Sequence, residues 1–242
     1  MEQARAWLRE ASRVAVLTGA GISAESGIPT WRGSSATAGE GLWDRYRPEQ
    51  LSSEEGFYQD PALVWQWYDW RRGVAAKAEP NAAHRALADW EQQVPEFNLI
   101  TQNTDGLHER AGSQRMTRLH GSIWTLRCTR CGREEQNVQV PLAELPPLCH
   151  HCGSMQRPGV VWFGEELPDG AWDHAMRATQ SCEVLLVVGT SGAVYPAALL
   201  IPIASRAGAK VIEINLEQTR FSDEMTCSLR GPAGELLPAL LT

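Results

Sequence analysis

The chain has no apolar run approaching the roughly 18 residues of a spanning helix. Its first residues, MEQARAWLREASR, are charged and amphipathic and lack the apolar core of a signal peptide. A cytoplasmic protein with no membrane partner is expected. Basic residues are not in excess: 22 Lys and Arg stand against 29 Asp and Glu, a net charge of -7. The basic face of a nucleic-acid binder is therefore not expected, and the acidic balance reads as ordinary solubility. There is no internal repeat, low-complexity tract or coiled-coil pattern, which favours a monomer. Cysteines number only six, and Cys182 and Cys227 stand alone. The other four form two tight pairs, and in a reducing cytosol such pairs suggest a metal rather than a disulfide framework.

What is present fits a globular protein. The chain has 242 residues, 43% of them hydrophobic, enough for one ordinary domain or a large lobe with a small one inserted. Short, continuously apolar runs at Val14–Leu17, Phe97–Ile100, Val184–Val188 and Lys210–Ile214 read as strands buried on both faces. Helical patterns lie between and around them, at Glu2–Ser12, Pro61–Lys77, Asn81–Gln92, Trp172–Gln180 and Tyr195–Ala207. This alternation predicts an α/β fold with a parallel sheet covered by helices. From about Leu119 to Gly164 the rhythm breaks, which predicts a small inserted module.

Four strand ends carry polar or glycine-rich segments. Gly19, Gly21 and Ala24 form G-x-G-x-x-A directly after the first run. This matches the dinucleotide turn, in which Gly21 would let backbone approach a pyrophosphate and the following helix would aim N–H groups at it, though glycine can also simply close a strand-to-helix turn. The acidic ribose partner usual about 20 positions on would be Glu40, but "TAGEGLW" reads as loop. Gln102, Asn103, Asp105 and His108 crowd a second end, Gly189-Thr190-Ser191 a third, and Asn215-Leu216-Glu217 a fourth. Each alone is ordinary turn chemistry. Four together mark the carboxyl-edge crevice where ligands bind in open α/β sheets.

The cysteines give a sharper signal. Cys128-x2-Cys131 and Cys149-x2-Cys152 have the spacing of a four-thiolate zinc site. Gly132 and Gly153 free the turn behind each pair. With sulfur at all four corners no position is left for water, so the zinc is expected to be structural. A redox C-x-x-C pair is the rival reading. His150 and His151 sit inside the second pair and are expected to be exposed.

"GAGISAESGIPTWRG", "TQNTDGLH", "LHGS", the cysteine pairs, "RPGVVWFGEELP", "GTSGAVYPAA" and "INLE" occur over nearly the whole chain. In content and order they resemble the sirtuin family, the NAD-dependent protein deacylases. The resemblance implies a Rossmann-like NAD-binding lobe at 1–32, 81–120 and 161–242. A small lobe would comprise a helical part at 33–80 and a zinc-ribbon part at 121–160. It implies that NAD is consumed as a co-substrate and that acyl-lysine proteins are the partners. Gly19, Ala20, Gly21, Ile22 and Ser23 would hold the pyrophosphate, with Glu25 nearby. Pro29 and Arg32 would lie in a loop that folds over NAD, where a cation stabilises charge as water is closed out. Gln102, Asn103 and Asp105 would line the ribose and nicotinamide pocket. Gly189, Thr190, Ser191, Asn215, Leu216, Glu217 and Ala233 would hold the adenosine half. Val160, Trp162, Phe163 and Gly164 would pair with the substrate peptide as an added strand.

His120 would be the general base, with Asn103 and Asp105 completing the catalytic set. An imidazole near its ordinary pKa can take a ribose hydroxyl proton at neutral pH. The implied reaction starts when the acyl oxygen of the modified lysine attacks the ribose carbon bearing nicotinamide, which leaves. His120 then helps a ribose hydroxyl attack the resulting adduct. Water and rearrangement release free lysine and O-acyl-ADP-ribose, and no hydride moves. Two other readings are ADP-ribosyl transfer on the same scaffold and a binding module that only senses NAD.

Tyr68 and Arg71, in "VWQWYDWRRG", are three apart and share a helix face. By themselves they read as a surface pair beside a core stripe of tryptophans. In a sirtuin, Y-x-x-R at this place marks acceptance of succinyl, malonyl or glutaryl lysine, because arginine's planar fork grips a carboxylate and a tyrosine hydroxyl adds a third bond. The chain departs from the family at Trp31, usually phenylalanine, and at Thr104, usually isoleucine or valine. Both changes bear on nicotinamide handling. Ala36 and Ala38 lie in the loop near the acyl pocket.

Overall fold

The computed structural model describes residues 1–30, 46 and 48–242. Trp31, Arg32, Ala36, Ala38 and Glu40 lie outside the described residues. The elements in chain order begin with α1 (Glu2–Glu10), β1 (Arg13–Thr18), α2 (Gly21–Ala24), α3 (Pro48–Leu51), α4 (Glu54–Gln59) and α5 (Pro61–Lys77). Next come α6 (Ala82–Glu91), β2 (Glu96–Thr101), α7 (Leu107–Ala111), β3 (Met116–Arg118), β4 (Gly121–Cys128), β5 (Glu134–Gln136) and β6 (Gln156–Val160). The chain closes with α8 (Ala171–Ser181), β7 (Val184–Val188), α9 (Leu200–Arg206), β8 (Lys210–Asn215), β9 (Cys227–Arg230) and α10 (Ala233–Leu241). No described helix is long and apolar enough to cross a membrane.

A six-stranded parallel sheet runs β3-β2-β1-β7-β8-β9. All five residues of β7 are buried, as a strand covered on both sides requires. Along β1, Val14 and Val16 pack into one core with α1, α6 and α10, while Ala15 and Leu17 pack into a second with α8 and α9. The period-2 alternation of a strand makes this division. Strand β1 pairs with β2 on one side and β7 on the other, so chain direction across the sheet reverses there. That reversal opens a crevice beyond the carboxyl ends of the strands.

The four expected strands are present. The edge strands β3 and β9 were not expected; they are short and only partly buried, so no apolar run announces them. The expected helix over Tyr195–Ala207 is a 3-10 turn, Ala197–Leu199, followed by α9. The break in rhythm after Leu119 has a structural cause: β4, β5 and β6 form a separate antiparallel sheet.

Helix α5 starts where Asp60 accepts a bond from the Leu63 N–H (2.9 Å) and Pro61 takes the first turn. It ends ahead of the Glu79-Pro80 pair. Its Trp65, Trp67 and Tyr68 form a third core with Leu107 of α7, Ile123 and Leu126 of β4, and Val160 and Trp162 at and beyond the end of β6. Arg72, fully buried, donates to the carbonyls of Ile123 (2.7 Å), Asn137 and Gln139 (both 2.9 Å). This guanidinium, paired with carbonyl dipoles, ties α5 to the antiparallel sheet.

Candidate active site and metal centre

Gly19 follows β1 and Gly189 follows β7, and the two loops press together. The Gly19 N–H donates to the Val188 carbonyl (3.0 Å) and the Gly21 N–H to the Gly189 carbonyl (2.8 Å). A Cβ on Gly21 would lie 2.7 Å from Gly189 Cα, and one on Gly189, at φ +60°, would lie 2.3 Å from the Ile22 nitrogen. The close approach of another loop's backbone by itself requires glycine at position 21. The expected helical N–H array is also altered: α2 is a single turn, and the Ile22 and Ser23 N–H groups donate to Gly19 and Ala20.

Behind this turn lies a buried polar network. The Ser23 hydroxyl donates to Asp105 Oδ2 (2.9 Å) and accepts from Asn103 Nδ2 (3.2 Å). Asn103 Nδ2 also reaches the Gly19 carbonyl (3.1 Å). Asp105 is fixed by the Leu107 N–H on its second oxygen (2.9 Å) and by the Trp124 indole N–H on its backbone carbonyl (2.6 Å). Burial pushes its carboxyl above the usual range, while the Leu107 N–H, the Ser23 hydroxyl and the Arg71 charge oppose that rise. Ser23 and the distant pair Asn103 and Asp105 therefore form one unit.

His120 stands between β3 and β4 at the same edge. Its Nδ1 lies 3.1 Å from the Gln102 carbonyl. That carbonyl can only accept, so Nδ1 carries the proton and Nε2 is the basic nitrogen. Burial lowers the His120 pKa from 6.5, and the Gln102 bond partly offsets this. Gln102 itself turns toward protein, its side-chain N–H reaching Thr190 Oγ1 (3.0 Å). It thus orients the His120 imidazole and braces the Gly189 loop.

The adenosine-half candidates divide. Asn215 spends its amide on the Thr190 carbonyl (2.9 Å) and the Leu216 N–H (2.9 Å). Ser191, Leu216 and Glu217 are exposed, and Ala233 is buried at the start of α10. Glu25 accepts from the Gly234 N–H (2.9 Å), so it holds the first turn of α10 against the glycine turn. Pro29 is half-buried. Thr104 is half-buried, and its carbonyl accepts from the Ile123 N–H (3.0 Å).

The segment expected to pair with a peptide is an irregular turn, because β6 ends at Val160. The Val161 N–H donates to the His120 carbonyl (3.0 Å), the Trp162 N–H to Glu165 (2.8 Å) and the Phe163 N–H to the Ser52 carbonyl (2.9 Å). An added strand would have to replace some of these bonds. Phe163 and Gly164 are exposed, whereas the Trp162 side chain is buried against α5. Arg71, half-buried, lies 5.0 Å from the Trp67 ring centroid. Burial lowers its pKa, opposed by Tyr68 and Asp105.

Sequence reasoning missed four members of this site. Thr18 Oγ1, at the end of β1, donates to Thr101 Oγ1 at the end of β2 (2.8 Å) and sits 3.0 Å from His108 Nε2. His84 Nε2 approaches Ser23 (3.4 Å), and its ring lies 4.9 Å from that of His108. Burial lowers His84 to about 4 and His108 to about 3, so both are neutral and shape the pocket without charge. Ser52 bonds the Tyr68 hydroxyl. The available signal was Asn81–His84, an N-cap spacing in which histidine replaces the usual glutamate.

Cys128, Cys131, Cys149 and Cys152 bring four sulfurs within 4.8 Å of one another, Cys128 and Cys152 at 3.4 Å and Cys131 and Cys149 at 3.9 Å. Tetrahedral zinc with bonds of about 2.3 Å requires sulfurs about 3.8 Å apart, so the donors fit a structural zinc. Gly132 and Gly153 adopt φ +69° and +71°, as the knuckle turns require. His150 and His151 are exposed. Purified protein should carry one zinc per chain by elemental analysis. Chelation should lower the melting temperature and abolish activity without any zinc-bound water in the chemistry. Full activity and an unshifted melt in stripped protein would remove the metal from the fold.

The Sir2 family model matches residues 19–196. An NAD-dependent protein deacylase of Aquifex aeolicus is 53% identical over 206 residues, 85% of this chain and 84% of that protein. NAD-dependent protein deacylase 2 of Pyrobaculum aerophilum is 51% identical over 226 residues, 93% of this chain and 88% of that protein. Among solved structures, a Sir2 homologue–NAD complex superposes with a TM-score of 0.93 at 46% identity, covering 100% of this chain and 92% of that one. A Sir2–p53 peptide–NAD+ complex superposes with a TM-score of 0.87 at 33% identity, covering 100% and 97%.

Proposed function

The chain belongs to the Sir2 family, and from that premise we propose that it removes acidic acyl groups, succinyl or malonyl, from protein lysines in preference to acetyl. It is an NAD-dependent protein deacylase; NAD is the co-substrate and acyl-lysine proteins are the substrates. One observation carries the preference: α5 carries the Tyr68 phenol and the Arg71 guanidinium three residues apart, on one helix face. A half-buried guanidinium can bind a carboxylate through charge-assisted bonds.

The other assignments follow from the network. Ser23, Asn103 and Asp105 shape the pocket around the nicotinamide ribose. His120, oriented by Gln102, takes a ribose hydroxyl proton at Nε2. Gly19–Ser23 and Gly189–Ser191 form the floor for the phosphates and adenosine, with Leu216 and Glu217 at its rim. The substrate chain runs past the exposed Phe163 and Gly164. The Rossmann-like lobe comprises the parallel sheet and its helices. The small lobe comprises α3–α5 and the zinc ribbon.

The decisive assay offers one peptide as succinyl-lysine and as acetyl-lysine, with and without NAD, and follows free lysine by mass spectrometry. Faster NAD-dependent loss of succinyl is expected. Faster loss of acetyl would discard the clamp and leave the deacylase.

A further inference from the structure

The Tyr68 hydroxyl is committed inside the protein before any acyl group arrives. The Trp162 indole N–H donates to its oxygen (2.9 Å), and Ser52 Oγ lies 3.0 Å away. Trp162 has little freedom to move. The Arg157 guanidinium carbon sits 3.5 Å from its ring centroid, and Phe57 packs against it at 5.3 Å. Glu165 accepts from both the Trp162 backbone N–H and the Arg157 guanidinium. Tyr68 and Trp162 are both buried, so water does not compete freely for these bonds.

An indole N–H can only donate. It therefore fills an acceptor position on the phenol oxygen and leaves the phenol proton to be given elsewhere. Ser52 can accept that proton, and so can an acyl carboxylate. Burial pushes the Tyr68 pKa up, which keeps the proton on the phenol at working pH. We infer that Trp162 is a specificity-determining positioning residue: its indole N–H fixes Tyr68 as a donor, and Ser52 holds the phenol proton until an acidic acyl group takes it. This rests on the acidic-acyl reading of Tyr68 and Arg71. Trp162 and Ser52 thereby act in opposite directions. With a neutral acyl group bound, the Ser52 acceptor satisfies the buried phenol. With a carboxylate bound, Ser52 is a competitor.

The test compares the ratio of desuccinylation to deacetylation, each as kcat/KM, in the full-length enzyme. Trp162→Phe keeps an aromatic ring and removes the N–H, and the ratio should fall about five- to tenfold. Ser52→Ala removes the competing acceptor and leaves a buried donor unsatisfied only with acetyl-lysine, so the ratio should rise about twofold or more. Loss of overall stability lowers both rates and leaves the ratio in place, so packing damage alone does not imitate either result. An unchanged ratio in Trp162→Phe, or a fall in Ser52→Ala, overturns the inference. If Trp162→Phe does not fold, Ser52→Ala decides alone. Wild-type preference for succinyl that Arg71→Met abolishes, together with an unmoved ratio in these two variants, means that this inference alone has failed. Wild-type preference for acetyl means that the underlying reading has failed and this one with it.

Discussion

Replacing His120 with alanine should cut deacylation by about 10²- to 10⁴-fold, the usual contribution of a positioned general base. The geometry suits the side chain to this proposed task. Its Nδ1–H is held by the Gln102 carbonyl, and its basic Nε2 stands at the edge where β1, β2 and β7 end. The base acts after nicotinamide leaves, so exchange of labelled nicotinamide into NAD should survive in the variant. Burial lowers the His120 pKa, and the imidazole must be neutral to accept a proton. Wild-type kcat/KM should therefore rise with pH through a midpoint below 6.5 and level off above it. A His120→Ala enzyme that keeps most of its rate, with zinc content and melting temperature intact, would move the base elsewhere. Loss of exchange together with deacylation would mean that His120 acts before nicotinamide departure.

Arg71→Met should lower desuccinylation by about 100-fold while leaving deacetylation largely in place. Truncating one partner of a buried, hydrogen-bonded charge pair costs about 2–5 kcal/mol, and about 2.7 kcal/mol corresponds to that factor. Methionine keeps most of the stem's apolar packing against Trp67. The two substrates separate two roles for Arg71. Its charge also opposes the upward shift of the Asp105 carboxyl, and in the proposed site Asp105 serves both substrates. Equal losses on succinyl and acetyl peptides would assign Arg71 to Asp105 rather than to the acyl group. A selective loss assigns it to the carboxylate.

The central strands were legible because each is a short, unbroken apolar run that must be covered on both faces. Helix α5 was legible to the residue because Asp60 and Pro61 open it and the Glu79-Pro80 pair follows it. The edge strands β3 and β9 were not, because they are short and only partly buried, and the antiparallel module was legible only as a break in rhythm, because the register between β4 and β6 is irregular. The spacing of the cysteine pairs predicted the four-sulfur cluster, because each x2 knuckle is a local structure that depends on four consecutive residues.

The sequence by itself determined the α/β class, the zinc ligands and the strand ends that meet at the crevice. Those features depend on neighbours in the chain, on periodicity and on short motifs. Only the tertiary structure decided what each polar group does there. It set Gly21 against Gly189 and turned Glu25 to α10. It placed Trp162 and Ser52 on the Tyr68 hydroxyl. The physical reason is that a buried hydrogen-bonding group must find a partner, and in this fold that partner is often more than 80 residues away, as Asp105 is from Ser23 and Trp162 from Tyr68.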